Sequence, residues 1–175
     1  GGRRPREGRL PVKLDLAAGI KAAPGFEGTD IVPLPGVKHV FDLLAFPWPF
    51  EDGSVEEVRC SHYIEHIPTA FWSPTAGITL VQQRDSVDLL LKFFDEVGRI
   101  LVSGGMAFFE CPHGHSDRTF QDPSHRRVIV GGLWAYLDAG WRRREGLEHG
   151  AYAISCDFPL ALTEAEGTFG PDSIR

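Results

Sequence analysis

The sequence predicts an α/β fold built on a parallel sheet, and three observations carry that prediction. Short apolar runs at 12–17, 27–31, 37–41 and 55–61 read as strands, and the first three close on small residues or carboxylates. A helical apolar stripe over 81–97 follows them, and the buried-strand pattern Met106–Cys111 follows that. Open α/β sheets bind their ligands outside the carboxyl ends of the strands. The stretches Val12–Gly19, Gly28–Thr29–Asp30 and Phe41–Asp42–Leu43 therefore mark one rim, supplied with acidic groups and free backbone amides.

In chain order, Val12-Lys13-Leu14-Asp15-Leu16 fits both an alternating and a buried strand. The connections up to residue 54 are short and punctuated by Pro24-Gly25, Pro33-Leu34-Pro35-Gly36 and Asp52-Gly53. The first, about residues 19–26, has no room for an ordinary crossover helix, so the architecture is pared down there. Between 81 and 97, Val87, Leu90, Leu91, Phe94 and Val97 form one stripe, with Asp85, Asp88, Lys92 and Asp95 largely off it. Gly104-Gly105 ends the segment Arg99–Val102, and Pro112 stops the strand that begins at Met106. A short aromatic-rich helix is expected at 131–139, and the tail at 151–163 alternates enough for a strand or one arm of a hairpin.

The 175 residues suit a single domain over 12–175, preceded by a flexible segment 1–11. With 12 Phe and 4 Trp, a disordered or fibrous chain is excluded. A formal charge of −6 argues against a broad nonspecific nucleic-acid footprint. The basic clusters Arg3-Arg4-Pro5-Arg6 and Arg142-Arg143-Arg144 read as solvated surface before polyanion contacts. Cys60, Cys111 and Cys156 are widely spaced and odd in number, which points to small buried hydrophobes in a reducing, cytoplasmic setting. No run reaches the ~20 apolar residues of a membrane helix, and the first ten lack the apolar region of a secretory signal.

Several stretches, in this order, resemble the class I S-adenosylmethionine-dependent methyltransferases, particularly the small methyltransferase-11-like group. They are Lys13–Gly19, Pro24–Asp30, Asp42-Leu43 with Phe46-Pro47-Trp48-Pro49-Phe50, Ser61–Ile67, Phe94–Leu101 and Gly104-Gly105. The resemblance covers residues 12–112 and implies a compact Rossmann-like sheet flanked by helices, reduced in its crossovers. Two departures stand out. Ala17 occupies the place of the first glycine in the family's loop, where its Cβ would crowd the cofactor if the backbone must be left-handed. Val102-Ser103 replaces the usual Lys-Pro before Gly104-Gly105.

The resemblance implies S-adenosyl-L-methionine as cofactor and assigns it residues. The loop Asp15, Ala17 and Gly19 approaches the methionine part, with Asp15 organising amides and helping to accept from the cofactor ammonium, directly or through water, the alternative being a loop cap. Asp30 accepts from the ribose hydroxyls, the alternative being an ordinary turn carboxylate. Asp42 and Leu43 form the adenine side, or else a strand-end cap beside a core leucine. Ser61 and His62 follow the fourth strand; His62 is the candidate acid/base or acceptor contact, weighed against local packing. Glu65 and His66 read as capping and packing residues.

A second polar cluster comprises Cys111, His113, His115, Asp117, Asp122 and His125. Its spacing matches no strong metal motif, so no metal is assigned and a substrate-facing loop is the better role. Arg118, Arg126 and Arg127 are placed there either to hold an anionic substrate or as exposed charges. Trp134, Tyr136 and Trp141 read as core before pocket wall. The expected function is methyl transfer to a small molecule, with protein and nucleic-acid acceptors also open and no membrane partner. A noncatalytic methyltransferase-like interaction domain and a metal-dependent hydrolase are the competing readings.

Overall fold

A computed structural model describes residues 12–82, 85–147, 154–159 and 173–174. The expected flexible segment 1–11, with its basic cluster, lies outside them, as does most of the expected strand at 151–163. Within that tail, 154–159 is described and has no regular secondary structure. The chain divides into two compact units. One takes the chain to Ser61 together with Glu96–Phe109, and the other takes His62–Asp95 and the chain from Glu110.

The first unit holds a parallel sheet. Its opening strands are Val12–Leu16 (β1), Glu27–Asp30 (β2), Val37–Val40 (β3) and Val55–Ser61 (β4). Strand β1 runs parallel to both β2 and β4, and β2 runs parallel to β3. The chain thus moves outward from β1 to β3 and then returns to place β4 on the other side of β1. That reversal between β1 and β4 is a topological switch point, where open α/β sheets form their ligand crevice. Leu14, Leu16, Val55 and Val58 are fully buried beneath it. Burial of each such side chain contributes about 1.5–3 kcal/mol. No helix occurs between these four strands, so the crossovers are reduced throughout. Small residues make that possible: a Cβ on Gly28 would lie 2.6 Å from the Gly36 carbonyl oxygen and close to the methyls of Ala18 and Ala22.

The second unit contains a small antiparallel sheet of Phe71–Ser73 (β5), Gly77–Thr79 (β6) and Val87–Asp88 (β7), with β5 in the middle. The helix α1, Leu89–Ile100, follows directly and passes from the second unit into the first. The expected helix over 81–97 is therefore corrected: Val87 and Asp88 belong to a strand, and the helix starts later and ends later. Asp88 explains the start, since its Oδ1 accepts the Leu90 N–H at 2.9 Å. Leu89, Leu90, Phe93, Phe94, Val97 and Ile100 are buried, a stripe that continues one turn past the expected end.

Strand β8, Leu101–Pro112, runs from the first unit into the second. Gly104-Gly105 lies inside this strand and does not end a segment. Gly104 has φ +81°, and a Cβ on Gly105 would come within 2.9 Å of the Glu56 carbonyl oxygen. The glycines thus serve a bend and a close approach within the strand. After β8 comes the short helix Arg118–Gln121 (α2), and in place of one helix at 131–139 stand two, Gly132–Ala135 (α3) and Ala139–Arg144 (α4). Asp138 divides the last two, being extended and accepting the Trp141 N–H through its side chain. A final strand, Ser173–Ile174 (β9), pairs antiparallel with Cys111 and Pro112 of β8.

One buried polar group organises the first unit. Glu96, 1% exposed, accepts the Trp48 N–H at 2.6 Å and two guanidinium N–H groups of Arg99 at 3.0 and 2.6 Å. Arg99 also donates to the carbonyls of Phe50 and Trp48 and to Asp52. The Glu96 hydrogen bond holds the Arg99 pKa above its ordinary value. Replacement Arg99→Met strands a buried carboxylate, and its expected cost is about 3 kcal/mol in urea unfolding. A loss under about 0.5 kcal/mol, the range of an ordinary surface change, would show that the pair is not a support.

Candidate functional site

The carboxyl ends of β1, β2 and β3 gather the predicted rim residues in the first unit. Past β1, Ala17 has φ +52° and Gly19 φ +60°. A left-handed backbone costs a residue with a Cβ about 1–2 kcal/mol, so Ala17 is held there by its surroundings. The Ala18 N–H donates to the Thr29 carbonyl at 2.9 Å and extends the pairing with β2. Asp15 is buried, and its Oδ2 accepts the Ala23 N–H at 2.7 Å, with Arg59 at 4.0 Å. Its carboxylate thereby pins the returning loop.

Asp30 closes β2 and joins two loops: Oδ2 accepts the Gly19 N–H and Oδ1 the Val32 N–H, each at 3.1 Å. Asp42 is exposed and accepts the Leu44 N–H in a tight turn. Leu43 is buried, and its carbonyl accepts the Trp48 indole N–H at 3.0 Å. Ser61, half-buried, ends β4 next to β1, where Leu16 pairs with Cys60. Three side chains that sequence reasoning passed over stand in the same region: Ile20, Ile31 and Val32 are 73%, 62% and 47% exposed. The signal available was an apolar pair directly after the Asp30 carboxylate.

The second unit begins at His62, another left-handed residue, with φ +54°. Its backbone N–H donates to the Glu110 carbonyl at 2.7 Å, and its Nδ1 lies 3.3 Å from Glu65 Oε1. Glu65 belongs to a 3₁₀ turn, Ile64–His66, which has no side-chain cap. The capping role expected for Glu65 is therefore replaced by burial at 1% exposure. The rings of His66 and His125 meet edge to face, with centroids 4.7 Å apart. Burial, then the charges of Glu65 and Glu110, push the Cys111 thiol up to about 12.

The expected histidine–aspartate cluster separates. His113 pairs with His115, whose backbone N–H donates to His113 Nδ1, while His125 joins Glu65 and His66. Asp122 binds the Ser124 N–H and hydroxyl, which hold its carboxyl below the usual range. Arg127 is structural: it donates to the carbonyls of Ile67 and Pro68 and pairs with Asp88. Arg118 and Arg126 stay exposed. Arg142 of the basic run is buried and donates to the carbonyls of Tyr136 and Cys156, so that cluster is only partly solvated. Trp134 is buried against Phe94, and half-buried Tyr136 and Trp141 pack on each other.

No family model and no curated protein matches the chain. Among solved structures it is similar to a SAM dependent methyltransferase from Archaeoglobus fulgidus, with a TM-score of 0.50 and 16% identity over 72% of this chain and 57% of that one. The fold is that of the S-adenosylmethionine-dependent methyltransferases. Similarity extends also to the YcgJ protein from Bacillus subtilis, at a TM-score of 0.47 and 18% identity, covering 82% of this chain and 74% of that one. The chain spans 57% of the length of the first of these structures. Within this methyltransferase fold, Asp15, Ala17, Gly19, Asp30 and Ser61 lie on strands or loops at the ends of β1, β2 and β4. Asp42 and Leu43 follow β3.

Ala17→Gly relieves the left-handed strain but adds unfolded-chain entropy of about 0.4–1 kcal/mol. The expected net effect is a rise in Tm of about 1–4 °C by calorimetry. A fall in Tm would show that the Ala17 methyl contributes packing that outweighs its strain.

Proposed function

We propose that this protein binds S-adenosyl-L-methionine at the strand ends of its parallel sheet and transfers the methyl group to a small-molecule acceptor. The observation that carries this reading is Asp30, placed at the end of β2 with each oxygen oriented by one backbone N–H. A carboxylate has about four acceptor positions, so both oxygens retain capacity for the two ribose hydroxyls. The loop fits the group as well: nothing lies within 4 Å of where a Gly19 Cβ would stand, and the left-handed Ala17 already has the backbone a glycine would supply.

In this reading Asp15 shapes the 15–19 loop that receives the methionine end. Asp42 accepts from the adenine amine through the oxygen not engaged by Leu44. Leu43, being buried, supports that turn, and the exposed Ile31 and Val32 give the ring an apolar surface. Bound S-adenosylmethionine supplies a sulfonium-activated methyl group. His62, which follows Ser61 directly in the chain, takes the proton that an acceptor hydroxyl or amine gives up. Glu65 near its Nδ1 fixes the imidazole and leaves Nε2 with the lone pair. The acidic balance of the chain favours a small acceptor over a polyanion.

Calorimetry with S-adenosylmethionine and S-adenosylhomocysteine tests the binding. Saturable binding to the native chain is expected, and Asp30→Ala weakens it about 10–100-fold, as loss of a charged hydrogen-bond acceptor implies. Absence of binding of either ligand at high protein concentration would leave a noncatalytic interaction domain as the reading. For His62→Ala, transfer of labelled methyl at saturating cofactor is expected to slow about 100-fold or more, with cofactor affinity unchanged. An unaltered rate would remove the proton-accepting role.

A further inference from the structure

We propose that Glu65, His66 and His125 form a binding site for one divalent transition-metal ion of the zinc class. Each residue offers one ligand atom, and these atoms all lie within 4.8 Å of one another. Metal–ligand bonds of about 2.0–2.2 Å require ligand atoms roughly 3.3–3.6 Å apart in a tetrahedral site. Small side-chain rotations close the difference. Two imidazoles and one carboxylate are a donor set that zinc takes with three protein ligands, keeping a fourth position for water or another oxygen or nitrogen.

The hydrogen bonds around the two histidines set their free nitrogens. His125 Nδ1 lies 2.9 Å from the Thr119 carbonyl oxygen, which only accepts, so Nδ1 carries the proton and neutral His125 has its lone pair on Nε2. Ser124 Oγ donates to Asp122 at 2.6 Å and so accepts from His66 Nδ1 at 3.0 Å. That again leaves the lone pair on Nε2. Metal-binding histidines are oriented in this way, by giving their other N–H to a carbonyl or carboxylate-linked partner. Each such histidine here is supported by a different backbone or side-chain group.

Glu65 supplies an independent reason for a cation. Its side chain is 2% exposed, and Oε2 is buried with no hydrogen-bond partner among the described residues. Its Oε1 lies 3.3 Å from His62 Nδ1 and 4.0 Å from His125 Nε2. A buried carboxylate oxygen without a donor is costly, and a divalent ion satisfies it. Asp122 Oδ2, 4.0 Å from His125 Nε2, adds negative charge nearby. The segment carrying His125 is also held ready, because the N–H groups of Arg126 and Arg127 both donate to the Glu65 carbonyl, at 2.7 and 3.1 Å. An ion here ties the Ile64–His66 turn to that loop. The inference does not depend on cofactor binding.

The test uses the full chain, stripped with chelator and titrated with zinc chloride by calorimetry and with cobalt(II) chloride by visible absorption. One ion per chain is expected, with a Kd at or below about 1 μM, together with the intense d–d bands of low-coordinate cobalt(II). His66→Ala and His125→Ala should each weaken binding about 100-fold or more, and Ser124→Ala, which touches no ion, about 10-fold. Glu65→Gln keeps the shape of the side chain and should abolish the zinc-dependent rise in Tm. Should the alanine variants not fold, the stoichiometry of the native chain and the Ser124→Ala series decide. Either absent stoichiometric binding or full affinity retained in His66→Ala and His125→Ala overturns the site.

Discussion

A buried carboxylate holds the part of the parallel sheet that has least secondary structure of its own. The connection from β3 to β4 contains no helix, and Glu96 with Arg99 takes over the fixing that a packed crossover helix would give. Glu96 binds the Trp48 backbone, Arg99 binds the carbonyls on either side of Pro49, and the Trp48 indole reaches back to Leu43. The Phe41 ring meets Trp48 at a tilt and Phe50 edge to face along the same segment. The turn bearing Asp42 and Leu43 is consequently positioned by a charge pair on α1. Removing Arg99 leaves the buried Glu96 carboxylate desolvated and without its charge partner.

Backbone strain is concentrated at two neighbouring strands. Ala17 and His62 are the non-glycine residues with positive φ among the described residues. Each follows directly on the end of one of the strands flanking the switch point, β1 and β4. Strained conformations persist where surrounding bonds overdetermine them, and they cluster at functional sites. Here the bonds are identifiable. Ala18 and Gly19 are anchored to Thr29 and Asp30, and the His62 N–H is anchored to Glu110. Each anchor fixes the backbone where its strand gives way to a loop.

How far the fold was legible follows from where the signals are local. The strands β1 to β4 were readable within one or two residues, because turn chemistry closes each of them. The start of α1 was not, since Val87 continues the helical stripe in sequence but pairs with Trp72 of β5 in space. The small antiparallel sheet was missed because its strands are two or three residues long and carry no repeated pattern. The glycines of β8 read as a terminator although they serve a close strand contact. Arg127 read as an anionic-substrate contact or an exposed charge and Arg142 as solvated surface, yet each satisfies backbone carbonyls, some of them far away in sequence.

By itself the sequence determined the parallel-sheet class, the positions of its first four strands along the chain and the acidic residues near their ends. Those properties depend on short-range periodicity and on turn residues, which act within a few positions of one another. Only the tertiary structure decided which carboxylate faces which amide, and that Asp15 pins a loop while Asp30 bridges two. It also decided that His125 meets Glu65 and His66 and not its sequence neighbours His113 and His115. The convergence of side chains from distant segments is set by backbone bonds such as those from Arg126 and Arg127 to Glu65. Such bonds leave no periodic trace in the chain, because their partners are chosen by packing rather than by spacing.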